Sequence, residues 1–289
     1  MKRCGFLSTA FLALILSAAI ATAGHASSEP DLAPAAVQAF DREASGKPVW
    51  HDDAAFDALL IALEGLPAHG MYPEHYHLSA LKRLRDEPAA RDRQATDAWF
   101  SAAAHMVYGK LDPLSMEPDW TAARREADLP AILRDALRDG TVARSLSTLA
   151  PKQPTYSILM AELHSVRTLM DTPPEPIKPP RKSKSRKKRE KQAAKMAART
   201  KALRAWLVQL DLLGNSGVTG EMDDATLRAV KGFQAEAGLS ADGDVDSDTI
   251  DALRGRLQKQ MDQLRVNLER WRWLPNELGR LAFKAARTR

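Results

Sequence analysis

Apolar residues recur every three to four positions along most of the chain, the period of helices with one buried face. In DDAAFDALLIALEGLPAHG, Phe56, Leu59, Leu60 and Leu63 fall on one face and Gly65 supplies a stop. ATDAWFSAAAHMVYGK and LPAILRDALRDG repeat the design, Gly109 and Gly140 following their apolar runs. PTYSILMAELHSVRTLMD predicts a further helix. Later, Leu203, Trp206, Leu207, Leu210 and Leu213 share a stripe. MDDATLRAVKGFQAEAGL opens with acidic residues suited to a helix start, buries Leu227, Val230 and Phe233, and ends at Gly238. SADGDVDSDTIDALRGRL gives an acidic turn and another helix. Leu253, Leu257, Met261, Leu264, Leu268 and Trp271 then advance in steps of three and four, predicting a helical stripe about 27 Å long. The fold class is mainly α.

Composition changes this picture in two places. A chain of 289 residues, 44% hydrophobic and 27% charged, fits two small cores better than one large one. Residues 178–204 hold thirteen Lys or Arg against Glu190 alone, a charge of +12; setting that and Lys2 and Arg3 aside from the formal +5 leaves −9. Just before this run, DTPPEPIKPP (171–180) carries five prolines, which stop a helix and favour an extended spacer. We therefore expect a Pro-rich basic linker over 171–200, extended to about residue 190, its C-terminal half turning helical. The run lacks interleaved aromatics and a surrounding reader fold, so no specific nucleic-acid partner is expected; a drift toward anionic polymers or membrane surfaces is.

The N-terminus reads MKRCGFLSTAFLALILSAAIATAGHASS. Lys2 and Arg3, an apolar run from Phe6 to Ile20, and Ala21-Thr22-Ala23 predict a secretory signal peptide over 1–23, the run being short for a bilayer span. After cleavage no transmembrane helix is expected. The one cysteine, Cys4, lies inside the signal and too early for a lipobox, so the exported chain would have no disulfide, thiolate metal site or thiol chemistry.

Two clusters invite a metal reading. His69, His75 and His77 lie within nine residues, but Tyr72-Pro73 forces a turn and no i, i+4 histidine pair exists; a surface turn is expected. His105 and His164 lie in helical segments with no carboxylate at motif spacing, and are expected to be satisfied or exposed. Asp242, Asp244, Asp246 and Asp248 mimic a calcium loop, yet Ser247 replaces the sixth-position glycine and Leu253 the bidentate Glu, so helix capping and solvation are expected. We assign no catalytic, cofactor-binding or metal-binding residues, and no cofactor.

The segment from Thr226 to Gly243, TLRAVKGFQAEAGLSADG, followed by Thr249, Ile250 and Leu253, resembles the small three-helix peptidoglycan-binding domain of bacterial wall enzymes. That resemblance implies core roles for Val230 and Phe233 and a glycan face on the exposed helix surface. Residues 52–170 resemble the helical scaffold domain of the large Gram-negative L,D-transpeptidases, through Leu63 to His77, Thr96 to Pro113 (TDAWFSAAAHMVYGKLDP) and Leu149 to Leu159 (LAPKQPTYSIL). The order scaffold, peptidoglycan-binding domain, NLERWRWLP is that family's order. The expected organisation is a signal peptide (1–23), an N-terminal segment (24–51), a scaffold domain (52–170), the linker (171–200), a peptidoglycan-binding-like domain (201–256) and a helix with lead-in (257–289).

In the family, NLERWRWLP leads into a β-rich catalytic domain ending in Ser-His-Gly-Cys, whose cysteine accepts the acyl group and whose histidine activates it. This sequence has no such motif and no strand pattern after Pro275. The resemblance thus implies a non-catalytic chain truncated before that domain, through a frameshift or premature stop, periplasmic, with peptidoglycan as partner. Trp271, Trp273 and Leu274 are expected to present a surface left for the lost domain, or to dock a wall-synthesis protein in trans.

Overall fold

The computed structural model describes residues 32–43, 45, 48–177, 184–214 and 218–277. The expected signal peptide with Cys4, part of the basic run and the tail from 278 lie outside them. The helices are α1 (Leu32–Glu43), α2 (Asp53–Glu64), α3 (Leu78–Arg83), α4 (Pro88–Tyr108), α5 (Pro113–Met116), α6 (Leu129–Arg138), α7 (Val142–Thr148), α8 (Pro154–Asp171), α9 (Arg186–Gln209), α10 (Asp224–Glu236) and α11 (Ser247–Arg272). Two 3-10 turns, Leu66–His69 and Pro73–Tyr76, join α2 to α3. Among the described residues no helix is long and apolar enough to cross a membrane, and β pairing is limited to one bridge, Ile177 to Val245.

Starts follow side-chain caps. Asp52, Asp128, Asp223 and Asp246 each accept a backbone N–H in the first turn of α2, α6, α10 and α11, satisfying donors the helix itself leaves open. The acidic turn thus serves as capping, as the sequence predicts for Asp246. Asp242 accepts the amide of Asp244 at 2.8 Å, which holds its carboxyl below the usual range.

The first core is built from α1, α2, α4, α6 and α7 around Trp50, Phe56, Leu59, Leu63, Trp99, Phe100, Leu133 and Leu146, all buried. It takes in residues ahead of 52, since Ala33 and Phe40 of α1 and the indole of Trp50 belong to it. Two of its buried indoles and a buried guanidinium are matched by hydrogen-bond partners. Trp50 Nε1 donates to Thr96 Oγ1 at 3.0 Å and Trp99 Nε1 to Ser145 Oγ at 2.8 Å. Arg91, buried on α4, donates to the carbonyls of Trp50, His51 and Arg85 and pairs with Asp53 at 2.6 Å.

The second core joins Tyr156, Leu163 and Val166 of α8 to Leu203, Trp206 and Leu207 of α9, Val230 and Phe233 of α10, and Ile250, Leu253, Leu257, Leu264 and Leu268 of α11. α8 therefore leaves the first unit and lies along α11, its most extensive neighbour. The predicted stripe on α11 is the surface that receives it.

The expected extended linker is shorter than the sequence suggests. Residues 172–177 are irregular, and Ile177 donates its N–H to Val245 O at 2.8 Å. From Arg186 the basic run is helical, so residues 186–190 are not extended. Ser185 caps this start, accepting from Lys188 N at 3.4 Å, and Arg, Lys, Gln and Ala are strong helix formers whose propensity outweighs weak repulsion between solvated like charges.

Candidate functional site

Two places bear on function, the small C-terminal unit and the junction where α11 meets the first core. In the C-terminal unit, the residues that carry the sequence resemblance are engaged in holding the fold. Gln234, buried, donates through Nε2 to Asp244 O at 2.8 Å, Thr249 Oγ1 at 3.2 Å and Asp242 Oδ1 at 3.3 Å, and its Oε1 accepts Gly243 N at 2.9 Å. One amide thus stitches α10 to the Asp-Gly turn and the start of α11. Gly243 sits at φ +86, and a Cβ there would come 2.6 Å from Leu227 Cδ1, so the glycine is required twice over. Arg204, also buried, donates to Glu221 O at 3.1 Å, Asp223 Oδ2 at 2.7 Å and Thr226 Oγ1 at 2.5 Å. Asp223 accepts Thr226 N and Oγ1 as well, and these bonds with Arg204 hold its carboxyl far below the usual range. Val230 and Phe233 are core residues, as the resemblance implies.

At the junction the tryptophans do not form the exposed patch expected of them. Trp273 is 3% exposed, its ring edge-on to Trp120 with centroids 5.8 Å apart, and its Nε1 donates to Glu269 Oε1 at 3.2 Å. Trp271 packs against the second core, half-buried, and Leu274 is half-buried too. The reason is local. Gly109, at φ +84 after α4, lacks the Cβ that would lie 2.4 Å from Trp273 Nε1, so the scaffold leaves a slot for the indole. Gln153 Nε2 then holds Pro275 O at 2.8 Å and Asn276 O at 3.1 Å.

Glu269 and Arg272 complete this junction. Glu269 Oε1 accepts Lys110 N at 2.5 Å and Leu111 N at 2.9 Å, while Oε2 takes Arg272 Nη1 at 2.5 Å. Arg272, buried, also donates to the carbonyl of His69. His69 is buried rather than part of a surface turn. Leu66 and Gly70 bracket it in the first 3-10 turn, and its Nδ1 lies 3.1 Å from Tyr156 Oη of α8. Burial, and then the Arg272 charge, push its pKa down to about 4, so it is neutral near pH 7. His75 and His77 are exposed and do not converge with it; His75 Nδ1 faces Lys110 Nζ at 2.9 Å and His77 faces Asp97 at 3.6 Å. His105 is satisfied by Tyr76 Oη at 2.9 Å, and His164 is exposed.

Beside the junction runs a groove of about 550 Å³ between α11, the second 3-10 turn and the 110–117 segment. Met71, Tyr72, Leu111, Met116 and Val266 line it, with Lys110, Glu117, Arg265 and Arg270 among its polar residues. Tyr72, Leu111, Met116 and Val266 are exposed large apolar side chains, and Leu114 adjoins them in the chain. The sequence reading missed this groove. Its members come from three segments, and only Val266, apolar on the polar side of the α11 stripe, signals it.

Residues 35–163 match the Scaffold domain family and residues 197–253 match a peptidoglycan binding domain family. No curated protein matches the chain. The folds and matches define a helical, cell-wall-associated protein in which a scaffold domain precedes a peptidoglycan-binding domain. Those two domains in that order support the resemblance to the large murein L,D-transpeptidases.

Proposed function

We propose that these 289 residues act as an exported, periplasmic wall-binding protein with no acyl-transfer chemistry of their own. The observation that carries the reading is the family order of scaffold and peptidoglycan-binding domains. Their union along α8 and α11 supports a single wall-bound body. Acyl transfer by the family route needs a cysteine nucleophile, and the sole cysteine, Cys4, precedes the proposed cleavage point. The test is co-sedimentation of the mature protein with purified sacculi at high salt, with muropeptide analysis alongside. Pelleting without new cross-linked or trimmed muropeptides is the expected outcome; a soluble protein, or any new cross-link above the no-protein control, would overturn it.

An adaptor reading has one observation in its favour, and it is the groove rather than the tryptophans. The exposed Tyr72, Leu111, Met116 and Val266 suit an apolar partner surface. Its test is whether Leu111→Glu with Val266→Glu abolishes a defined complex with a wall-synthesis protein while leaving sacculus binding unchanged.

A further inference from the structure

The second half of α9 is fixed in the core through Thr200, Leu203, Trp206 and Leu207. Its first half is not. Residues 184–191 are all exposed, and Arg186, Lys187, Lys188 and Arg189 follow one another, so at about 100° per residue a cation faces every side of the helix. Lys187, Lys191 and Lys195 form a row at i, i+4 and i+8. Glu190 pairs with Arg186 at 2.9 Å, and Glu175 takes Arg199 and Lys195. Lys187, Lys188, Arg189 and Lys191 meet no carboxylate among the described residues. Like charges at i, i+4 disfavour a helix, and a bound polyanion would relieve that repulsion.

We infer that the first half of α9 is a second wall-binding element, an electrostatic clasp for the free carboxylates of peptidoglycan stem peptides. Charge on every side of the helix suits a flexible polymer that can wrap it, whereas a flat surface reaches one side only. Between Lys184 and Lys195 the apolar residues are Ala193 and Ala194 alone, too little for the apolar face that seats a helix in a bilayer. No aromatic lies there for base stacking. The clasp also complements its neighbour. Residues 211–251 carry two basic against ten acidic side chains, so the peptidoglycan-binding unit itself repels anionic stems, and the cationic half of α9 continues directly into the half packed in that unit's core.

This inference rests on the wall-binding reading, and the experiment separates the two. The mature protein and a Lys187→Gln, Lys188→Gln, Arg189→Gln, Lys191→Gln variant are pelleted with sacculi across a salt series. Parallel samples use sacculi stripped of stem peptides by an amidase, and phosphatidylglycerol vesicles. The unsubstituted protein should lose affinity by on the order of tenfold between about 50 and about 200 mM salt. The variant should bind more weakly at low salt with a flatter slope, and stripped sacculi should abolish the difference. Equal affinity and slope for both proteins would overturn the clasp and leave the wall-binding reading standing. Failure of both proteins to pellet at any salt would overturn both. Tighter binding to vesicles than to sacculi would overturn the clasp in favour of a membrane. The substitutions lie on solvent and keep good helix formers, and circular dichroism should show unchanged helicity.

Discussion

Replacing Gly109 by alanine should separate the end of α11 from the scaffold. Two costs follow from the geometry. The backbone at φ +84 and ψ 164 lies in a region open essentially to glycine, which costs a side chain about 1–3 kcal/mol. The new Cβ would also lie 2.4 Å from Trp273 Nε1, 2.5 Å from its Cδ1 and 2.7 Å from Glu269 Oε1, closer than Cβ atoms are found to approach. The indole cannot give way within its slot, because Trp120 stands edge-on to it. It must leave, and losing a buried tryptophan costs about 3–5 kcal/mol. Glu269 would surrender its bonds to Lys110 N and Leu111 N at the same time. A loss of about 4 kcal/mol at the junction is a conservative sum, and it is a large share of a typical domain's stability.

Gly140→Ala provides the control. That residue is also left-handed, at φ +62, but a Cβ there would meet nothing within 4 Å, so only the backbone cost of about 1 kcal/mol applies. Urea unfolding would give the stabilities, and hydrogen exchange over residues 262–272 would locate the loss. A double-mutant cycle then tests the cause. With Trp273→Ala already present the clash with the indole is gone and only the approach to Glu269 Oε1 remains, so Gly109→Ala should cost about 2 kcal/mol less than in the unsubstituted protein. If Gly109→Ala destabilises no more than Gly140→Ala, or if the cycle is additive, the slot does not hold the indole and the account of the junction fails.

Acid should weaken the same junction through His69. Its folded pKa of about 4 is depressed below the ordinary value of 6.5, so its contribution is complete above pH 6.5 and is lost as pH falls to about 4, some ~3 kcal/mol in all. Urea midpoints at pH 7 and pH 4.5 should show a drop that His69→Asn largely removes; an equal drop in both proteins would refute it. Because burial is the first cause and Arg272 the second, Arg272→Met should raise the His69 pKa without restoring 6.5, which NMR titration of the ring would read. In the C-terminal unit, Gln234→Leu should cost about 2–4 kcal/mol by orphaning Gly243 N and Asp244 O, and a melting shift equivalent to less than about 1 kcal/mol would show that the amide is dispensable.

The helices were legible because each carries its own period and its own stop, and the stripe from Leu253 to Leu268 is buried as its spacing predicts. The burial of Trp273 was not, because the slot that takes it lies at Gly109, more than a hundred and fifty residues away, and a glycine after an apolar run reads first as a helix stop. His69 was misread for a similar reason. Local sequence shows a turn, but the buried ring is set by Tyr156 of α8 and the Arg272 charge of α11. What pattern could not supply was which surface each element meets. A stripe fixes the face of a helix that is buried, whereas the partner of that face is chosen by chain topology, and here α11 has two: α8, α9 and α10 along its length, and the scaffold at its end. The clustering of apolar and aromatic residues in NLERWRWLP is therefore explained by an interface within the chain. Leu268 serves the second core, Trp271 packs beside it, and Arg272 and Trp273 clamp the first, so one short stretch joins the two domains into one body.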